Sequence, residues 1–224
     1  MKKINRLISG YNHNPGSISR IKYIVIHYVG ALGGAKENCQ YYAGGNRNAS
    51  AHYFVGFDGE IWQSVEDANI AWHCGASSYK HGECRNANSI GIELCVRKRN
   101  TASMGATDKD WYFEDATVEA AAELTRYLMD KYNVPASHVI RHYDVTGKIC
   151  PNPYVYNTTA HTWDEFKKKI SGAVAPAIKK LYRVRKSWKD AASQLGAFEE
   201  LENAKKACKV GYTVYDWNGK AVYP

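Results

Sequence analysis

ISRIKYIVIHYVG, residues 18–30, holds the stretch on which the fold turns. Tyr23 to Ile26 is a short apolar run rich in β-branched residues and closed by Gly30, which reads as a strand buried on both faces. Such a strand needs cover on each side, and helices supply it in α/β sheets. His27 then stands at the carboxyl end of the strand, the edge at which α/β sheets bind their ligands.

Outward from that strand the same logic yields the rest of a domain. Ala35 to Ala43 reads as a short helix stopped by Gly44-Gly45. AHYFVGFDGEIWQSV, residues 51–65, reads as a hairpin turning at Asp58-Gly59. SIGIELCV, 89–96, alternates Ile90, Ile92 and Leu94 with smaller or polar residues, a strand pattern. Asp115 to Tyr132 is the clearest helix: Ala121, Leu124, Leu128 and Tyr132 share a face, Thr117 or Asp115 serves as a cap, and Pro135 follows the end. HVIRH, 138–142, reads as a short strand and Thr162 to Ile170 as a last helix. Strands alternating with helices predict an α/β domain over 1–172, with a mixed, largely parallel central sheet flanked by helices.

GAVAPAI, 172–178, is small-residue and Pro-interrupted, so a linker is expected at 173–181. A small α+β module follows at 182–224. Tyr182 and Val184 alternate with Arg183 and Arg185 as a strand, Leu201, Ala204 and Cys208 share a helical face, and 211–223 form a hairpin around Asn218-Gly219.

Composition narrows the classes. The chain has 224 residues, a 45% hydrophobic fraction and a net charge of +8, enough apolar content to exclude disorder as the main state. No run of 18 apolar residues marks a membrane span, and the opening MKKINRLISGYNHN lacks the apolar core of a signal peptide. Synthesis in the cytoplasm is expected. The six cysteines are scattered, which suits a reducing compartment with free thiols, although Cys74 and Cys84 stand close enough to pair if oxidised later. Residues 176–224 carry ten basic and five acidic side chains, so that short tail holds +5 of the +8. The excess points to an anionic partner such as a nucleic acid, a lipid surface or an acidic wall polymer; with no base-reading motif, the nucleic-acid reading rests on charge alone.

Three side chains suit a metal. His27, His142 and Cys150 offer two nitrogens and a sulfur, a set that fits Zn²⁺ and leaves a fourth tetrahedral place open for water. Spacing alone leaves a second reading open, in which they are a core histidine, a surface histidine and a buried thiol. Lys148 lies two residues before Cys150, so an extended backbone would send both side chains the same way. Glu93, between Ile92 and Leu94, must be paired, linked to a metal or raised in pKa, unless its strand is an edge whose face meets solvent.

The segments IVIHYVG, SAHYFVGFDGEIWQSV, IAWHCGA, SIGIEL and VIRHYDVTGKICP, in that order over roughly residues 18–165, resemble the type-2 N-acetylmuramoyl-L-alanine amidases. Those enzymes share a fold with peptidoglycan-recognition proteins and phage lysozyme-like amidases. The resemblance implies a zinc enzyme that cleaves the amide between N-acetylmuramic acid and L-alanine of bacterial peptidoglycan. It implies zinc on His27, His142 and Cys150, in the branch with Cys where many members carry Asp. Glu93 falls at the catalytic carboxylate and Lys148 at the electrostatic lysine. Ala51 stands where another branch has a tyrosine, which favours Glu93 as the base. Trp72 and His73 fall beside the substrate cleft, His73 toward substrate or oxyanion; by residue type alone Trp72 reads first as core. His52 and Asp144 are expected as supports, Asp144 behind the metal ligands.

The tail string QLGAFEELENAKKACKVGYTVY is faintly similar to half of a SPOR module, which implies binding to wall glycan, docking on the amidase or pairing with another copy. Similar tails follow endolysins of clostridial phages, so the expected role is lysis of the wall after release through a holed membrane. The alternative on the same fold is a peptidoglycan-binding protein without catalysis.

Overall fold

A computed structural model describes residues 2–171 and 181–224, which form two compact units dividing after residue 172. Apart from Leu181, the linker expected at 173–181 lies outside the described residues.

Along the first unit run β1 (Ile4–Arg6), β2 (His13–Asn14), β3 (Tyr23–Tyr28), α1 (Ala35–Ala43), β4 (Tyr53–Val55), β5 (Ile61–Gln63), β6 (Ile70–Ala71), β7 (Ser89–Leu94), β8 (Arg97–Lys98), β9 (Trp111–Tyr112), α2 (Asp115–Tyr132), β10 (Val139–Arg141), α3 (His142–Thr146), α4 (Asn152–Tyr156) and α5 (Trp163–Ser171). Six strands make the central sheet in the order β1-β5-β4-β7-β3-β10. Only the β4–β5 hairpin is antiparallel; the other four pairings are parallel. Its turn places Gly59 at φ +73°, a left-handed conformation glycine adopts without strain. The short pairs β2–β6 and β8–β9 lie outside that sheet.

The period-2 alternation of strands sorts the core into two layers. Ile24 and Ile26 of β3 join Ile90, Ile92 and Leu94 of β7 against Val118, Ala121, Leu124 and Leu128 of α2, with Phe166 and Ile170 of α5. On the opposite face Tyr23 and Val25 meet Val145 of α3, Cys74 and Cys84, while α1 packs Ala35 and Cys39 over Phe54. Every residue of β3 is buried, as its sequence demands. The N-terminus of α2 differs from expectation. Glu114 occupies the cap position without a side-chain bond, and Thr117 instead donates its hydroxyl to the Gly56 carbonyl at 2.9 Å, tying helix to hairpin. At the other end Asn133 takes φ 52° and Val134 N–H reaches back to the Met129 carbonyl, which closes the helix just before Pro135.

The second unit is a four-stranded antiparallel sheet, β12-β11-β13-β14, made of β11 (Tyr182–Arg185), β12 (Gly196–Phe198), β13 (Thr213–Tyr215) and β14 (Ala221–Tyr223), with α6 (Leu201–Ala207) on one face. Val184, Ala204 and Val214 are its buried centre. Among the described residues no helix is long and apolar enough to cross a membrane. All six cysteines are unbonded thiols, Cys74 and Cys84 both buried in one cluster.

Candidate metal centre

Register assembles the site. The pairing of β3 with β7 sets His27 beside Glu93, Val25 beside Gly91 and Tyr23 beside Ser89. Because Ile90, Ile92 and Leu94 point into the α2 layer, Ser89, Gly91 and Glu93 share the other face with His27. On the far side of β3, Arg141 of β10 pairs with Ile26, so the next residue, His142, arrives level with His27. HVIRH therefore ends as a strand one residue earlier than its sequence suggests, and His142 opens the short helix α3. Asp144 caps that helix, accepting from Arg141 N–H at 2.9 Å and pairing with its guanidinium at 2.7 Å. Its hydrogen bonds thus run to Arg141, where a contact behind the metal ligands was expected.

Cys150 follows through a tight turn in which its N–H donates to the Lys148 carbonyl at 2.7 Å. The backbone there is folded back, not extended as the spacing argument for Lys148 assumed. Cys150 is buried, while Lys148 is exposed and lines the cleft beside His142.

The ligand atoms of His27, His142 and Cys150 lie within 4.8 Å of one another, and all three residues are buried. His27 Nδ1 is 3.6 Å from Cys150 Sγ. Tetrahedral zinc with ordinary Zn–N and Zn–S lengths separates its nitrogen and sulfur ligands by about 3.6 Å. His142 Nδ1 is buried with no hydrogen-bond partner, as is Glu93 Oε2. Buried polar atoms are rarely left so, and a cation held with His27 and Cys150 would satisfy His142 Nδ1. The residues fit zinc.

Electrostatics keeps the ligands in usable form. Burial, then His142, His73 and Lys148, holds the His27 imidazole well below its usual pKa, and burial with Lys148 and His73 takes His142 down to about 3. Both rings are neutral at physiological pH. Burial, helped by Glu93, pushes the Cys150 thiol up, so metal uptake must displace its proton. Glu93 Oε1 stands 3.9 Å from His27 Nδ1. Burial lifts its carboxyl to about 8, with Lys148 opposing. Its strand is flanked by β3 and β4, so it is not an edge and the solvent-facing reading falls away.

A cavity of about 490 Å³ opens over the centre, lined by Trp72, His73, Asn86, His142 and Lys148 among others. Trp72 is only half-buried, its Nε1–H donating to Asn14 Oδ1 at 2.7 Å, so it belongs to the cleft wall and not to the core. His73 reaches the same wall, but His27 Nε2 lies 3.0 Å from its Nδ1 and Ser89 Oγ 3.1 Å from its Nε2. Neither ring nitrogen is left for a substrate or an oxyanion. His52 is buried under the sheet face, its Nδ1 accepting from Gly91 N–H at 3.0 Å, a support as expected.

Sequence reasoning missed Ser89, Gly91 and Arg20. Gly91 had a signal, a glycine inside an apolar strand, which marks a close approach. A Cβ there would come within 2.5 Å of the His73 ring. Arg20 had none: its guanidinium is aimed at the carbonyls of Asp67, Ala68, Asn69, Asn86 and Ser89, knitting two loops below the cleft.

A profile of the N-acetylmuramoyl-L-alanine amidase family matches residues 17–153, which includes every ligand named above. The chain belongs to that family. In this amidase domain the match is carried by relatives as well. The N-acetylmuramoyl-L-alanine amidase CwlL of Bacillus licheniformis is 32% identical over 169 residues, 70% of this chain and 42% of its own length. The 1,6-anhydro-N-acetylmuramyl-L-alanine amidase AmpD of Escherichia coli is 35% identical over 124 residues, 54% of this chain and 58% of its own. Among solved structures, the catalytic domain of XlyA superposes with a TM-score of 0.58 at 27% identity, covering 75% of this chain and 99% of that one. The chain spans about half the length of the first Bacillus relatives it matches.

Proposed function

We propose that the chain hydrolyses the amide between the lactyl group of N-acetylmuramic acid and L-alanine in bacterial peptidoglycan, as a zinc-dependent endolysin. The observation that carries the reading is the separation of His27 Nδ1 and Cys150 Sγ at 3.6 Å beside an unpartnered His142 Nδ1, under a cleft and next to a buried carboxylate. Zinc held by these three residues would polarise the scissile carbonyl and acidify a water.

Glu93 would accept the proton of the attacking water and return it to the leaving amine of L-alanine. Its pKa of about 8 in the metal-free centre suits the second task, and the positive charge of a bound cation would lower it toward the first. Lys148, exposed at the cleft, would meet the negative charge that grows on the carbonyl oxygen. Trp72 would flank the substrate, while His73 supports the ligand His27.

The second unit would hold the enzyme to its substrate. Arg183 pairs in register with Tyr215, and Trp188 packs against Tyr215 at 5.8 Å and under the Arg185 guanidinium at 5.3 Å, a cationic and aromatic surface suited to wall glycan or anionic wall polymers. Pairing with a second copy through this module is part of the proposal.

Mass spectrometry of digested peptidoglycan tests the reaction: stem peptides with a free N-terminal alanine are expected, together with one zinc per chain by elemental analysis. Stoichiometric zinc and wall binding with no new amine would instead leave a binding protein on this fold.

A further inference from the structure

We infer that Ser89 and His73 form a relay that fixes which nitrogen His27 presents to the metal, a positioning role that rests on the zinc reading above. Each hydrogen bond in the relay has room for one proton. Ser89 Oγ lies 2.6 Å from the Arg85 carbonyl, which only accepts, so the single hydroxyl proton of Ser89 is committed there. At its other contact, 3.1 Å from His73 Nε2, Ser89 must therefore accept, and Nε2 is the protonated nitrogen of His73. Nδ1 is then the accepting nitrogen of the His73 ring, 3.0 Å from His27 Nε2. His27 must donate from Nε2, which leaves its Nδ1 bare. That atom is the one 3.6 Å from Cys150 Sγ.

Run in the other direction the chain fails. A proton on His73 Nδ1 would force His27 to carry its own proton on Nδ1 and close the position to a cation. The far end of the relay cannot turn round, because it stops on a main-chain carbonyl. That carbonyl is itself held in a turn by Asn88 N–H at 3.1 Å, while Arg85 N–H donates to Asn88 Oδ1 at 2.8 Å. Cys74 and Cys84 also face this hydroxyl, Cys74 at 4.0 Å and in contact with His73 as well, but the Arg85 carbonyl at 2.6 Å is the far closer acceptor for the single hydroxyl proton.

Gly91 gives independent support. It lies between Ser89 and Glu93 on the same sheet face, and any side chain there would enter the His73 ring at 2.5 Å. A glycine in a central strand forgoes packing, and the space it leaves is filled by this imidazole. One face of one strand thus supplies the relay's anchor, its room and the carboxylate next to the metal.

The test uses the full chain with and without zinc. Histidine ¹⁵N spectra of the zinc-free protein should show His27 and His73 each protonated at Nε2. Zinc affinity, read by competition with a chromophoric chelator, should weaken about 10- to 100-fold in His73→Leu, as for other partners of metal-bound histidines. His73→Asn puts a carbonyl oxygen near the place of Nδ1 and should recover most of that loss. Ser89→Ala should leave His73 as a mixture of tautomers with a smaller loss of affinity. Wild-type zinc binding is read first: its absence removes the metal reading itself. With zinc bound by the wild type, His27 protonated at Nδ1, or a folded His73→Leu with unchanged affinity, overturns the relay alone. If His73→Leu does not fold, the wild-type spectra and Ser89→Ala decide, an unchanged His73 tautomer and affinity in Ser89→Ala counting against the relay.

Discussion

Glu93 is the residue on which chemistry and stability pull against each other. As the proposed base it should be replaceable by Gln with zinc retained and turnover reduced about 10²- to 10⁴-fold, the usual worth of a positioned acid or base. Cys150→Ser should instead lose the metal, and elemental analysis beside a wall-lysis assay separates the two. The carboxyl also sets a pH dependence in the zinc-free protein. Its folded-state pKa of about 8 lies above the ordinary 4.5, so between those values the folded chain binds more protons than the unfolded one. Stability then falls as pH rises through that window. The buried imidazoles of His27 and His142, lowered in pKa, act at the acid end, where their contribution is lost as pH drops below about 6.5. Between pH 6.5 and 8.5 the carboxyl is isolated from them. Over that range zinc-free Glu93→Gln should gain roughly 1–3 kcal/mol on the wild type in urea unfolding. Parallel curves would mean the carboxyl is not buried as described.

At the scale of elements, α2 secures the face of the sheet opposite the site. Leu124 is fully buried between helix and strands, and Leu124→Ala should cost about 2–5 kcal/mol in denaturant unfolding. The metal ligands lie on the other face, so zinc stoichiometry of the folded variant should be unchanged. The strands and long helices were legible because their signals are local. Tyr23 to Tyr28 is apolar throughout, and α2 repeats its face from Ala121 to Tyr132. Residues 72–89 were not, since no periodicity runs through them. They are held by side chains bonding to main chain, Asn86 Oδ1 accepting from His73 N–H at 3.1 Å and Cys74 N–H at 2.7 Å. Such bonds join positions whose spacing carries no pattern. Likewise the metal ligands were nameable by residue type and resemblance, but their meeting depends on strand register, which a single sequence does not encode in any one place. The extended path assumed for Lys148 failed because Cys150 N–H bonds back to the Lys148 carbonyl at 2.7 Å and folds the chain between them, a local turn that no pattern of residue types announces.

For the whole molecule the division into two units makes a direct prediction. A chain ending at Gly172 should hydrolyse soluble muropeptide like the full-length protein and sediment less with intact walls; equal sedimentation would remove the targeting role of the second unit. Metal removal should act on the first unit only, lowering its thermal midpoint because zinc binds the folded state. One further property follows from β1, the three-residue strand that pairs along β5 and continues as Leu7 N–H and Ser9 N–H bonding to Gln63 and Ser64. It is one of the two outer strands of the sheet, at the end opposite β10. Peeling it away would bare a row of main-chain donors and acceptors on β5, the template from which β-rich proteins aggregate. β1 thus covers that row at the end of the sheet away from the strands that carry the metal ligands.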